Sequence, residues 1–89
     1  MFEDDLDHES GRTLSQQIAD RVEERILNGE LLPDRAVPSE HQMTQIWGVS
    51  RDTARRATRI LVGRGLVYTV VGKGSFVRPV DERPATDEA

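Results

Sequence analysis

Arg51, Arg55, Arg56 and Arg59 are the side chains of this 89-residue sequence best placed to do chemistry. A guanidinium is always charged and presents five N–H donors in a planar fork. It pairs with phosphate, or bidentately with the O6 and N7 edge of guanine. At about 100° per residue from Arg51, Arg55 falls near 40°, Arg59 near 80° and Arg56 near 140°. Ala57, Leu61 and Ala54 fall on the other side, near 240°, 280° and 300°. The only acid in the stretch is Asp52, near 100°. Solvated helices usually mix Glu with Lys for support between adjacent turns. A stripe of like charge costs stability, which implies that an external anion completes it.

Such a helix needs elements to hold it. Ser39-x-x-Gln42 fits a capping box and starts a preceding helix. Met43, Ile46 and Trp47 are expected to form that helix's buried side. Gly48 is expected to stop it in a left-handed conformation, with Val49 as an apolar plug in the turn. Ser50 then caps the arginine helix, expected over 51–62. Upstream, Thr13-x-x-Gln16 is a second capping box. Leu14, Ile18, Val22 and Ile26 follow in one stripe, with Ala19 and Leu27 beside it. Arg21, Glu23, Glu24 and Arg25 should be solvated, and Gly29 should close the helix. The connector LLPDRAVP has room for a very short strand. Beyond Gly63 and Gly65, LVYTVV (66–71) reads as a strand, Gly72-Lys73-Gly74 as a turn, and Ser75–Val77 as the return. Three helices and a hairpin make a mainly α fold with a small β-wing, a winged helix-turn-helix.

Composition limits the alternatives. The chain suits one small domain, with no cysteine for disulfides, thiolate metal sites or nucleophilic catalysis. No apolar run approaches a membrane span, and the acidic start does not fit a signal peptide. A soluble cytoplasmic protein is the expectation. The net charge of −4 conceals a strong segregation. Residues 1–34 sum to −7, residues 35–78 to +6 and residues 79–89 to −3. The basic block coincides with the helix-turn-helix and hairpin, and the local face governs affinity for phosphate. The expected organisation is a disordered acidic arm over 1–11, the folded unit over 12–79, and a disordered acidic tail over 80–89.

Other chemistries find little support. His8 and His41 are isolated, so no metal or other cofactor is expected. The Gly72–Gly74 turn lacks the length and hydroxyl residue of a P-loop. No paired polar constellation suggests an enzyme. Trp47 and Phe76 read as core; Tyr68 suits either core or base stacking. The rival functions are a protein-interaction module and an RNA-binding adaptor. The uncompensated arginines argue against the first, and the lack of exposed aromatics for stacking argues against the second.

The segments LPDRAVPSE, GVSRDTARRA, GRGLV and GKGSFV, with the opening LSQQIADRV, resemble the GntR family of bacterial transcription regulators over residues 12–78. Asp34 stands where that family usually has glycine, Val37 and Met43 replace leucines, and Trp47 replaces Phe or Tyr. The resemblance implies a sequence-specific regulator of double-stranded DNA, more commonly a repressor. The third helix would enter the major groove and the wing 72–74 the adjacent minor groove. It assigns DNA contacts to Ser39, His41, Ser50, Arg51, Thr53, Arg55, Gly72 and Lys73, and it has Glu40 orient Arg51. Arg51 or Arg55 would read guanine, and Thr53 a phosphate or a thymine methyl. Arg56 and Arg59 would meet phosphates. Asp52 would accept from cytosine or steer Arg56, and Gly74 completes the wing tip. Two copies on an inverted repeat would provide enough contacts, with a homodimer forming on DNA. Family members usually carry a C-terminal effector domain, and VDERPATDEA holds no such pocket.

Overall fold

The computed structural model describes residues 5–84. Its elements run α1 (Leu14–Leu27), α2 (Glu40–Trp47), α3 (Arg51–Gly63), β1 (Val67–Val70), β2 (Gly74–Val77) and a final 3₁₀ turn, Val80–Glu82. The architecture is the expected winged helix-turn-helix. Among the described residues, no helix is long and apolar enough to cross a membrane.

The helix starts follow from local chemistry. Thr13 and Ser39 each accept from the backbone N–H three residues on, while Gln16 and Gln42 reach back to the cap N–H. Ser50 caps α3 by accepting from Thr53 N–H. Each such cap is worth about 1 kcal/mol. Gly48 sits at φ 66°, ψ 33°, the left-handed turn that joins α2 to α3. A side chain there would be strained.

The apolar faces meet in one core. Ile18, Ala19, Val22 and Ile26 of α1 pack with Met43, Ala54, Ala57, Leu61, Leu66, Val67 and Val77, with Val37 entering from the connector. Alanines on α3 allow α1 and α3 to approach closely. Ser15 Oγ donates to Thr53 O at 3.2 Å, which ties the start of α1 to the start of α3.

Several expectations about exposure are corrected. Leu27 is 62% exposed, whereas Arg25 is buried. The α1 stripe turns toward Arg25 because its stem is covered and its guanidinium reaches Glu30 beyond the helix, at 3.6 Å. Glu23 is half-buried against Arg64 rather than solvated. On α2, only Met43 is buried; Trp47 is partly buried and Ile46 is 39% exposed. Two turns of helix crossing α3 leave room for one fully enclosed side chain.

The hairpin is antiparallel, with Val67 opposite Val77, Tyr68 opposite Phe76, Thr69 opposite Ser75 and Val70 opposite Gly74. The connector does pair briefly with it, through an isolated bridge between Ala36 and Phe76. Asp34 N–H donates to Val77 O at 2.7 Å, and Val37 N–H donates to Ser75 O at 3.0 Å. Asp34 adopts φ 62°, alone among the described non-glycine residues in taking a positive φ. That explains why glycine suits this position; Asp is one of the few side chains that tolerate it.

Both terminal segments were expected to be disordered, and their described parts make specific contacts. Gln17 is buried beneath residues 5–11: its Oε1 accepts from Asp7 N–H at 2.7 Å and its Nε2 donates to Asp7 O at 2.8 Å. Leu6 packs against the core. A buried amide must find partners, and this one finds them in the acidic segment. At the other end, Pro84 lies so close to Gly65 that a Cβ there would approach Pro84 Cδ to 2.3 Å. Residues 1–4 and 85–89 of the expected arm and tail lie outside the described part.

Candidate nucleic-acid interface

Three separate elements converge on one groove. It is lined by Ser39, Glu40 and His41 from the start of α2, Arg51 and Thr58 from α3, and Thr69 to Ser75 from the wing. Six of the residues singled out from sequence therefore share one concavity: Ser39, His41, Arg51, Gly72, Lys73 and Gly74. A second depression continues along α3, lined by Arg55, Arg59, Thr58, Thr69 and Ser75 among others. Ser50, Asp52, Thr53 and Arg56 lie on the first turns of α3, outside both grooves.

Local folding positions each group. The wing turn is closed by Lys73 N–H donating to Val70 O at 3.0 Å. Gly72 and Gly74 take φ 81° and 127°, so the tip bends sharply with Lys73 exposed at its apex. Thr69 and Ser75 hydroxyls meet across the hairpin at 3.1 Å, giving the wing a polar surface toward α3. Thr58, Thr69 and Ser75 were not singled out from sequence. Thr58 and the wing hydroxyls come together only through packing of β1 against α3, which no local pattern encodes.

The electrostatics refine the arginine stripe. Arg56 Nη2 lies 3.0 Å from Asp52 Oδ2, and Arg55 Nη1 lies 3.6 Å from Asp52 Oδ1. Asp52 thus steers both arginines, not Arg56 alone. The stripe is therefore partly compensated, but one carboxylate serves two guanidiniums. Among the described residues no ion pair reaches Arg51 or Arg59, and the expected Glu40–Arg51 ion pair is not formed, although both line the same groove. Ser50 Oγ donates to Thr53 Oγ1 at 3.1 Å while accepting from Thr53 N–H. Its proton is thereby engaged, which leaves the Thr53 hydroxyl as the outward donor of the pair.

Tyr68 faces away from this groove. Its ring stacks on Phe76 with centroids 5.7 Å apart, and its hydroxyl donates to Asp34 Oδ1 at 2.6 Å. Donation to the carboxylate raises the phenol pKa above its ordinary value, with desolvation and the Asp34 charge adding to the effect. The ring braces the wing against the connector rather than offering a stacking platform.

Residues 14–77 match the family model described as bacterial regulatory proteins, gntR family. The chain belongs to the gntR family. It is 44% identical over 61 residues to the HTH-type transcriptional repressor NagR of Bacillus subtilis, covering 68% of this chain and 25% of that protein. It is 42% identical over 67 residues to the mannosyl-D-glycerate transport/metabolism system repressor MngR of Escherichia coli, covering 75% and 28% respectively. The chain thus spans about a quarter of the length of these curated relatives. Among solved structures, AraR(DBD) in complex with operator ORE1 superposes with a TM-score of 0.72 at 39% identity, covering 81% of this chain and 88% of that one. YtrA from Sulfolobus acidocaldarius, a GntR-family transcription factor, gives 0.77 at 31% identity, covering 88% and 81%. The gntR match therefore takes in all three helices and the wing.

Proposed function

We propose that this gntR-family chain binds double-stranded DNA at a specific operator and acts as a transcriptional repressor. One observation carries the reading: α2, α3 and the wing place Ser39, His41, Arg51 and Lys73 around one groove, with Arg55 and Arg59 continuing the surface. The similarity to repressors and to an operator-bound DNA-binding domain supports it. In this reading α3 enters the major groove. Arg51 and Arg55 supply the base-reading forks, while Arg56 and Arg59 meet phosphates. Thr53 donates to a phosphate beside the start of α3, where the helix dipole also favours an anion. Asp52 sets the rotamers of Arg55 and Arg56. His41 and Ser39 contact the backbone at the start of α2, and Gly72, Lys73 and Gly74 bring the wing to the adjacent minor groove.

Two copies bind an inverted repeat and pair on the DNA, each adding its own phosphate and base contacts. The working compartment is the cytoplasm, where the DNA of a bacterium lies. Selection from random duplexes, followed by titration against the selected duplex, a scrambled duplex and an RNA of the same sequence, tests the proposal. Preference for the selected duplex that weakens steeply with salt is expected. Equal affinity for all three, or a flat salt response, overturns it.

A further inference from the structure

Val71 is 96% exposed, the most exposed of the large apolar side chains in the described region. It sits at the wing tip immediately before Gly72 and lines the groove shared with His41, Arg51 and Lys73. An isolated exposed valine would need no explanation on an ordinary surface. Here it shares a groove with the cationic Arg51 and Lys73 as well as with Val70 and Pro38, and the hairpin does not use it. The pairing ends at Val70 opposite Gly74, so Val71 lies beyond the last pair and outside the core. Thr69 and Ser75 carry the polar surface of the wing one step earlier. The tip thus presents Val71 almost fully exposed, with Val70 37% exposed behind it, beside one cation.

Resting on the operator-binding reading above, we infer that Val71 is a specificity-determining residue that selects A·T over G·C pairs where the wing meets the minor groove. The minor-groove floor of an A·T pair shows only acceptors, whereas a G·C pair adds the guanine 2-amino group. That amino group projects into the space a valine methyl would occupy. Valine has no acceptor for it, so its displaced hydration is not replaced. Apolar side chains do enter minor grooves, and in this inference a branched one laid on the floor is accommodated where that amino group is missing. Lys73, two residues on, supplies the phosphate contact that holds the tip down. The preference is one of exclusion: Val71 reads a position by what is absent from it.

The test uses the 89-residue chain and its selected duplex, with the wing-covered base pairs located by hydroxyl-radical footprinting. Those pairs are then made A·T, G·C or inosine·C in otherwise identical duplexes. Inosine lacks the 2-amino group but keeps guanine's major-groove edge, so it isolates the minor-groove difference. The expected result is that A·T and inosine·C bind alike, with G·C weaker by a factor on the order of five to ten. Val71→Ala should shrink that difference and Val71→Lys abolish it, with the thermal midpoint of folding unchanged for both. Equal affinity of G·C and inosine·C overturns the inference while leaving operator binding intact, as does a difference that persists in Val71→Lys. Failure to bind any duplex in a salt-dependent way removes the operator-binding reading itself, a separate outcome.

Discussion

The arginines at the back of the molecule and those at its front are chemically identical and differently employed. At the back, Arg64, just past α3, lies 3.1 Å from Asp20 and also pairs with Glu23. Arg12 meets the same Asp20 at 2.8 Å. Arg25, its side chain only 11% exposed, lies between Glu24 and Glu30, 3.6 Å from each. At the front, Arg55 and Arg56 share one exposed carboxylate, and Arg51 and Arg59 have no ion-pair partner among the described residues. Helix α3 leads from one regime to the other within four turns. The number of carboxylates in reach separates cations that hold the fold from cations left available to an anionic ligand. The acidic excess of residues 1–34 accordingly supplies partners for the back, and the front keeps its charge.

The largest test of that contrast is salt. Raising it from 50 to 200 mM should weaken duplex binding by about 10³ if roughly six phosphates are neutralised per bound unit. Folding stability, followed by urea denaturation, should change far less, because the apolar core carries the fold and each back ion pair contributes little. A comparable loss of both would mean that the two sets are not distinct. Next in size is Arg55→Ala. It should lower affinity for the selected duplex by about 10- to 100-fold, with little loss on a scrambled duplex, as read by fluorescence anisotropy. Its stability should stay within about 0.5 kcal/mol of the parent. Arg64→Ala should do the reverse. It leaves Glu23 without this partner beside Asp20, one turn away on the same face of α1 and still paired with Arg12, and should cost about 1–2 kcal/mol of stability, between exposed and buried pairs. Below the unfolding transition its duplex affinity should match the parent's. A swap of the two phenotypes would overturn the assignment.

Much of this was legible in the sequence because it is encoded locally. Thr13-x-x-Gln16, Ser39-x-x-Gln42, Ser50 and Gly48 fix where helices begin and turn, through groups within four residues of one another. The hairpin and the buried α3 alanines follow from short-range pattern as well. What escaped was long-range. The exchange of Arg25 for Leu27 on the buried side depends on Glu30 and on which flank of α1 the chain later covers. The pairing of Gln17 with Asp7 spans ten residues and looked like free acidic arm. At the candidate interface, the arc of α3 arginines could be placed by helical angle, but the sharing of Asp52 between Arg55 and Arg56 depends on rotamers. Thr58, Thr69 and Ser75 were missed because hydroxyls carry no charge signal and meet only when the wing folds onto α3.

The smallest effect concerns the brace that holds the front in place. Tyr68 donates to Asp34, and Asp34 in turn holds the connector to β2 through its backbone N–H. The phenol pKa is raised in the folded state, so the neutral form is the one the fold favours. The stabilisation is therefore fully present below the ordinary phenol pKa of about 10 and is lost as pH rises through the higher folded value. The brace should stay closed across the neutral range and open only in strong alkali. Tyr68 is the one tyrosine in the sequence, so its phenolate absorbance reports this group alone. Asp34→Asn keeps a side chain that tolerates a positive φ and removes the charge. It should bring the absorbance midpoint back toward about 10 while leaving duplex binding at neutral pH nearly unchanged, because the amide oxygen can still accept the hydroxyl. An unshifted midpoint would show that the carboxylate does not govern the phenol. A large loss of duplex binding would instead move Asp34 from the wing's support into the interface, and would erase the boundary between front and back at that point.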